Sequence, residues 1–493
     1  MFRSGVFLLI VFLLVGCQAA LPPIPNPPPT LSANPQQPAP TVPSYPPQFN
    51  LSHLPEVEQL DTQHSYQLEE LIHLAQANNP ITRIAWLEAE QAAIAAGMVK
   101  ATYLPMISAS VIGGYQRSKR HTDLDLPLID IDTRTHSSVH GVVPALSLKW
   151  LLFDFGKRNA LHGAASDMSF ASQVKFNAAH QAIIFNVART FYEYSAARQK
   201  TELARQHLQN TTKLVDAAQS RFQAGVGTAI DVAQAKQLQA QANFRLVQNQ
   251  GAERNAYHAL IAAAGLPPTT QIHIADASDR QLPRYEDLPD DATLQAALSY
   301  RPDLIATDAA RRAAEKSIDS AKADFLPKVA LMGVASAGST HFNINGLAET
   351  SPQSASTAVL LGVSIPLFDG GLRRMRLREA EARAAAAKEL VRKNQNDALR
   401  EIHFAANSLR SALEAYTAAT ELVDAVRLTY DAALESYEVG LGSMMLATEA
   451  ANALIDATQA QAVAYSAALI ASANLAFMMG QIDIAALPPL HQR

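Results

Sequence analysis

Residues 221–236, RFQAGVGTAIDVAQAK, constrain most what this chain can fold into. Proline-free patterns of helical period run for tens of residues on both sides, so the chain must reverse between them. Gly225 and Gly227 supply backbone that can turn, and Thr228 stands where an N-cap is wanted, three residues before Asp231. The stretch predicts a helical hairpin with its tip at 225–228. The same device returns in residues 436–449, SYEVGLGSMMLATE, where Gly440, Gly442 and Ser443 take the places of Gly225, Gly227 and Thr228. Two long hairpins closed in one way imply a duplicated architecture.

Other landmarks repeat in step. Asn79-Pro80 returns as Arg301-Pro302 and Tyr103-Leu104-Pro105 as Phe325-Leu326-Pro327, both 222 residues later. Phe153-Asp154 returns as Phe368-Asp369, Gly225 as Gly440 and Gly265 as Gly480, all 215 residues later. The seven residues lost (222 − 215) fall between these sets, where the pattern changes to a period of two. Residues 105–116 and 145–152 alternate, with Leu146, Leu148, Trp150 and Leu152 on one face. Val359, Leu361, Val363, Ile365 and Leu367 do the same in the second repeat, where Pro366 is tolerable only near a strand end. A polar loop is expected over 117–138, and a shorter one near 339–356.

Each repeat therefore reads as a short helix, a strand pair, a long helix and a medium helix. The short helices fall near 80–103 and 302–325, and the medium ones near 228–264 and 443–479. Long helices over 156–222 and 370–437 would each reach roughly 100 Å at about 1.5 Å per residue. A short and a medium helix stacked end to end nearly match one long helix, which predicts a cylinder wall. The repeats occupy 66–265 (β-hairpin about 105–152) and 301–480 (β-hairpin about 327–367), with a 481–493 tail. The 266–300 connector, with Pro267-Pro268, would cross the outside at mid-height near both chain ends.

Residues 1–16 read as a secretory signal, with Arg3 before a short apolar core. The signal ends in Leu14-Val15-Gly16-Cys17, which resembles a bacterial lipobox; the chain's only cysteine would then carry the lipid. Gln18 follows, and by resemblance to such lipoproteins a residue other than Asp there favours the outer membrane. Residues 17–65 form the lipidated N-terminus and a proline-rich, extended tether. A single lipidated terminus supplies only part of a stable anchor.

Several function classes drop out. A net charge of −5 over 493 residues leaves no nucleic-acid footprint. One cysteine permits neither a disulfide framework nor a Cys-based metal site. No apolar run reaches the roughly 20 residues of a membrane helix. No catalytic constellation emerges, so the chain reads as no enzyme, and no cofactor is expected beyond lipid on Cys17. His136 and His140 sit around the end of the expected loop and are not taken as a metal site. Lys119-Arg120-His121 with Asp123 and Asp125 reads as a solvated loop. Tyr115 and Trp150 belong either to an aromatic belt or to a packed core.

Four strands cannot satisfy their own edges in lipid; only a closed barrel can. Three chains would supply about twelve strands, a plausible transmembrane barrel. A non-conducting coiled-coil envelope protein is the alternative the Ala-rich helices permit, but a rod has no need of two matched β-hairpins.

Taken in order, FQAGVGTAIDVAQAK, YEVGLGSMMLATEA, the run Ile365-Pro366-Leu367-Phe368-Asp369-Gly370-Gly371 and the duplication resemble the TolC-like outer-membrane factors of bacterial efflux and type I secretion, in their lipoprotein branch. The resemblance covers residues 66–480. It implies a mainly α fold with a trimeric twelve-stranded β-barrel in the outer membrane, continued by a periplasmic α-helical barrel. The homotrimer would dock through Gly225, Gly227, Thr228, Gly440, Gly442 and Ser443 to a periplasmic adaptor and an inner-membrane transporter of the RND or ABC type. Such a duct exports small molecules or polypeptides. In the family, acids after the second turn line the periplasmic aperture, and Glu449 falls at such a position, with Met445 on the same helix face. Leu446, where some members carry an earlier acid, is the alternative for the ring. Asp231 is either an aperture residue or compensation for a helix N-terminus.

Overall fold

The structure, a computed structural model, describes residues 60–126, 129–277, 280–344 and 353–489. The signal sequence, Cys17 and most of the proline-rich stretch lie outside them. The described elements run β1 (Ser65–Tyr66), α1 (Leu68–Asn78), α2 (Pro80–Ala101), β2 (Met106–Leu126), β3 (Ile129–Phe153), α3 (Lys157–Gln223), α4 (Ala229–Ala263) and β4 (His273–Ile274). They continue through α5 (Asp291–Ala296), α6 (Pro302–Ala323), β5 (Lys328–Ile344), β6 (Gln353–Ser364), α7 (Leu372–Glu438) and α8 (Met444–Met478). The long helices α3 and α7 each have 67 residues, the medium helices α4 and α8 each 35, and the short helices α2 and α6 each 22. Equal lengths in corresponding places are the duplication written in backbone.

Two compact units cut across the repeats. One joins Gln91–Phe170 with Ala309–Glu389; the other joins the described residues through Glu90 with Ala171–Asp308 and Leu390–Arg493. Each unit thus takes matching pieces from both repeats.

The first unit holds the sheet, ordered β2-β3-β5-β6, all antiparallel. The polar loop expected over 117–138 is corrected here: pairing continues from Met106↔Lys149 to Leu126↔Ile129, so the described residues of that span are ladder. Polarity alone suggested a loop, yet Leu124, Leu126, Ile129 and Ile131 alternate with Asp123, Asp125, Asp130 and Asp132, which is strand periodicity. His136 and His140 accordingly lie inside β3, not at a loop end. Residues 339–344 and 353–356 are likewise strand rather than loop.

Each strand pair hands over to its long helix through the same joint. Arg158 donates from Nε to Asp154 (3.0 Å) and from Nη1 to the Leu151 and Thr102 carbonyls (2.8 and 3.1 Å). Arg373 repeats this with Asp369 (2.7 Å) and the Pro366 carbonyl (2.7 Å). The guanidinium groups lie 4.6 Å from the Tyr103 ring and 5.3 Å from the Phe325 ring. A charged fork is well suited to satisfy several carbonyls at once where strand gives way to helix. Gly370 and Gly371 take φ +67° and +92°; in the first joint Phe155 holds φ +52° before Gly156 at +92°.

In the second unit the short and medium helices meet end to end. A Cβ on Gly265, after α4, would stand 2.8 Å from Asn79 Cα, and one on Gly480, after α8, 2.6 Å from the Tyr300 carbonyl oxygen. Both glycines also hold positive φ, +72° and +71°. The connector packs on the first and last stretches of the described residues. Strand β1 pairs in parallel with β4, and buried Arg280 reaches Glu69 (2.9 Å) and the Pro488 carbonyl (2.8 Å). Beneath it the largest core cluster gathers Leu71, Phe191, Tyr192, Ile261 and Leu469. Helix α8 is long and apolar enough by composition to cross a membrane, but much of it is buried, including Ile455, Leu469 and Leu475.

Candidate functional site

Two places carry the predicted chemistry: the helical tips and the sheet. At the first tip Gly225 takes φ +78°, and the Val226 and Gly227 N–H groups both donate to the Arg221 carbonyl at 3.0 Å. At the second, Gly440 takes φ +84°, and Leu441 and Gly442 donate to the Ser436 carbonyl at 2.9 and 2.8 Å. These are Schellman-type helix ends, in which a left-handed residue returns donors to the orphan carbonyls of the last turn. The second glycine of each pair has a different reason. A Cβ on Gly227 or Gly442 would sit 3.0 Å from the Phe222 or Tyr437 backbone nitrogen. The hairpins rest on a small core that includes Leu214, Ala218, Leu238, Tyr437, Met444 and Ala451.

The caps separate the two acids singled out from sequence. Thr228 Oγ1 accepts from the Asp231 N–H (3.1 Å), while the Asp231 carboxylate accepts from the Thr228 N–H (3.0 Å) and hydroxyl (2.8 Å). Asp231 is therefore the closing half of a capping box. In the second tip the Ser443 hydroxyl accepts from the Leu446 N–H (3.3 Å), and no carboxylate closes the box because Leu446 stands where Asp231 does. Glu449 is exposed, and Met445 on the same helix face is 66 % exposed. Leu446 is also exposed, whereas Met444 is buried.

Sequence reasoning missed the link between the tips. Arg221 Nη1 donates to the Tyr437 carbonyl (3.0 Å), and its guanidinium lies 5.1 Å from that ring's centre. Burial pushes the Tyr437 phenol above its usual range, with the Asp231 carboxylate adding to the effect. No pattern flags the pair, because Arg221 matches Ser436 and Tyr437 matches Phe222 in the other repeat. Val226 and Leu441, 68 % and 88 % exposed, were also missed. Their signal was present: each is the apolar middle residue of a Gly-x-Gly.

The sheet's two faces differ. One carries Ile107, Val111, Leu146, Leu148, Leu331 and Leu361 with no charged side chain from the Trp150 row to the Tyr115 row. The other holds Ser108, Ser110, Ser147, Ser336 and Lys149, with Ser108 and Ser147 hydroxyls 2.7 Å apart. Tyr115 and Trp150 stand at opposite ends of the apolar face. Ten residues of strand, at about 3.3 Å each and tilted by about 40°, give an apolar height of roughly 25 Å, that of a transmembrane barrel's lipid band. This supports the belt reading over the core one. Strands β2 and β6 are sheet edges.

Among the described residues no cluster of three metal-ligating side chains occurs. The family model described as outer membrane efflux protein matches residues 71–266 and 293–481. Protein CyaE of Bordetella pertussis is 28% identical over 332 residues, 66% of this chain and 65% of its own. Outer membrane protein OprJ of Pseudomonas aeruginosa is 28% identical over 338 residues, 68% of this chain and 67% of its own. The chain thus spans about two thirds of the length of these curated relatives. Among solved structures, CusC superposes with a TM-score of 0.70 at 20% identity, covering 90% of this chain and 99% of that one. The outer membrane protein VceC of Vibrio cholerae gives 0.68 at 22%, covering 84% and 96%. The fold is that of these channels, mainly α with a β segment.

Proposed function

This chain belongs to the outer membrane efflux protein family, and from that premise we propose that it is the outer-membrane exit duct of a tripartite efflux or type I secretion system. The observation that carries the reading is the open four-stranded sheet, with one uncharged face of membrane height and two unpaired edges. In lipid those edges must pair, and pairing β2 of one copy with β6 of the next closes a twelve-stranded barrel from three copies. The serine-rich face then lines the passage. The barrel sits in the outer membrane, with the helical part in the periplasm. Lipid on Cys17, outside the described residues, is the second anchor.

The tips meet a periplasmic adaptor, which joins the duct to an inner-membrane transporter. Gly225, Gly227, Thr228, Gly440, Gly442 and Ser443 shape the turns, and Val226 and Leu441 offer apolar contact. Met445 and Glu449 line the closed aperture, with Leu446 as the alternative ring residue; Asp231 serves the cap. The duct passes cargo without chemistry of its own.

The test is the mass of the detergent-solubilised complex, corrected for bound detergent, together with its conductance in planar bilayers. A conducting trimer is expected; a stable, conducting monomer would contradict edge closure. Fatty-acid labelling of the wild type and Cys17→Ser checks the anchor, and equal labelling of both would remove it.

A further inference from the structure

Paired strands bring their helices side by side. Within the chain β3 pairs with β5, and α3, which leaves β3, meets α6, which enters β5. Asp167 on α3 accepts from Lys316 on α6 at 2.7 Å and lies 3.4 Å from Arg312 Nε. A Cβ on Gly163, one turn away, would stand 2.9 Å from the Lys316 side chain. The edge strands carry the same two kinds of helix: α2 enters β2 and α7 leaves β6, yet β2 and β6 do not pair with each other in the chain.

The two short helices differ on the corresponding face. Leu87, Ile94 and Met98 lie on one face of α2 and are 45–62 % exposed. Their counterparts 222 residues on are Ala309 and Ser320, both buried, and Lys316, which holds Asp167. On α7 the counterparts of Gly163 and Asp167 are Arg378 and Ala382, both exposed. Sizes are exchanged between the pairs. Inside the chain a long lysine crosses a glycine; on the open faces a long Arg378 could cross the shorter Ile94, with Ala382 where the carboxylate stood.

Resting on the outer-membrane reading above, we infer that α2 of one copy packs on α7 of the next through an apolar seam, Ile94 against Ala382 and the Arg378 stem, with Val363 of β6 opposite Val111 of β2. The register follows from the internal one, in which Lys149 stands opposite Met332 and Leu148 opposite Gly333. Moved by 215 and 222 residues, it sets Ser364 opposite Ser110 and Val363 opposite Val111. Both valines then fall on the apolar face, whereas a slip of one residue would turn Val363 against the serine-bearing face. The seam also rejects the wrong helix. Laying α3 of another copy on α2 would press Asp167 on Ile94 and bury a carboxylate away from Lys316 and Arg312. The ion pair marks the seam inside a chain, and the apolar stripe marks the seam between chains.

Cysteine pairs test this in the full-length protein in its membrane, with single-cysteine variants reporting any link through Cys17. Under mild oxidation Ser110→Cys with Ser364→Cys should give dimers and trimers on non-reducing gels. The internal counterpart, Lys149→Cys with Met332→Cys, should link without change of mass. Ser110→Cys with Val363→Cys should link about tenfold less, because the two face opposite sides of the sheet. With a short bis-maleimide, Ile94→Cys and Arg378→Cys should give the same ladder, and Ile94→Cys with Gly163→Cys should not. Ile94→Lys should lower the temperature at which trimers dissociate, and adding Ala382→Asp should restore it by rebuilding the internal ion pair between copies. Equal linkage through Gly163→Cys, or no recovery in the double variant, overturns the helix seam. Equal linkage through Val363→Cys overturns the register. A crosslink to a different polypeptide gives the stripe to another partner and overturns it too. The mass of the solubilised complex tells the two readings apart: a trimer without the ladder overturns the seam alone, whereas the absence of a trimer overturns the duct and the seam together.

Discussion

The two helical tips share a backbone and differ in what their polar groups are free to do. Both turn through a left-handed glycine and begin the next helix on a hydroxyl cap. In the first tip the acid that follows is consumed by the cap, through two hydrogen bonds to Thr228. In the second, Leu446 takes that place, and the nearest acid, Glu449, comes three residues later on an exposed face. The first repeat also sends Arg221 across to the Tyr437 carbonyl, with nothing returned by Ser436. Duplication preserved the turn and let the side chains differ: one tip closes its acid into the cap, the other leaves its acid on an exposed face.

The largest effects should come from the shared glycines. Gly440→Val forces a β-branched residue into φ +84° and pushes its Cβ to 3.2 Å from Arg221 Nη1. Gly225→Val meets the same dihedral penalty at +78° but open space. We expect about 2–3 kcal/mol of local destabilisation for Gly440→Val and about 1–2 for Gly225→Val. Export should fall in that order while trimer level stays normal, read by drug or substrate accumulation alongside immunoblots of membranes. Equal losses would mean that the Arg221 contact adds nothing to the second tip; normal export by both would mean that the tips do not dock.

Arg221→Ala removes the one described hydrogen bond between the tips and the stacking on Tyr437. A charge-assisted bond of this kind is worth about 1.5–3 kcal/mol at most, less where water competes. Hydrogen exchange should speed up at Tyr437–Gly442 as well as at Arg221. If only the first tip loosens, the two hairpins are held by their apolar core alone.

These stability readings should be taken above pH 7, because a buried histidine four turns back along the first long helix responds to acid. Burial, with the Arg245 charge assisting and Asp456 opposing, pushes His207 down from 6.5 to about 4. Between those values the unfolded chain binds the proton and the folded one does not. Stability is therefore intact above about 6.5 and declines as pH falls toward 4. His207→Gln should flatten that part of a melting-temperature profile, and an unchanged slope would assign it to other groups.

The hairpin turns were legible because glycine pairs and a hydroxyl at fixed spacing act locally. The joints at Arg158 and Arg373 were written as Asp followed four residues later by Arg in both repeats, a signal that went unread. Over 117–138 polar composition points to a loop while a period of two points to strand, and the period decides because alternate polar residues are tolerated on one face of a sheet. Arg221 with Tyr437 was not legible at all: the partners lie 216 residues apart and neither repeats. Arg280 was hidden likewise, since its partners Glu69 and Pro488 lie 211 and 208 residues away on either side in sequence.

A cap swap asks whether the acid's position alone separates the tips. Asp231→Ala should lose about 1 kcal/mol by opening the capping box. Leu446→Asp should gain about 0.5 kcal/mol by building one on Ser443. Thermal unfolding of the solubilised protein would read both shifts. A gain from Leu446→Asp larger than the loss from Asp231→Ala would show that the second tip was strained without its acid.

The smallest effect on stability, and the sharpest test of the division of labour, is expected from Glu449→Gln. Glu449 is exposed and belongs to no cap, so its neutralisation should move stability by less than about 0.5 kcal/mol. On the duct reading proposed above, its effect is expected in conductance. In a threefold assembly three copies of Glu449, each four residues after Met445, would face one axis, and three carboxylates there attract cations as strongly as salt allows. Divalent or trivalent cations added on the periplasmic side of a planar bilayer should block the wild-type channel, and Glu449→Gln should weaken that block. Met445→Ala should instead raise resting conductance, because a flexible apolar constriction is lost. Asp231→Asn should leave the block nearly unchanged, since that carboxylate already accepts two hydrogen bonds from Thr228. A block untouched by Glu449→Gln but abolished by Asp231→Asn would reverse the assignment, making the first tip the gate and the second its support.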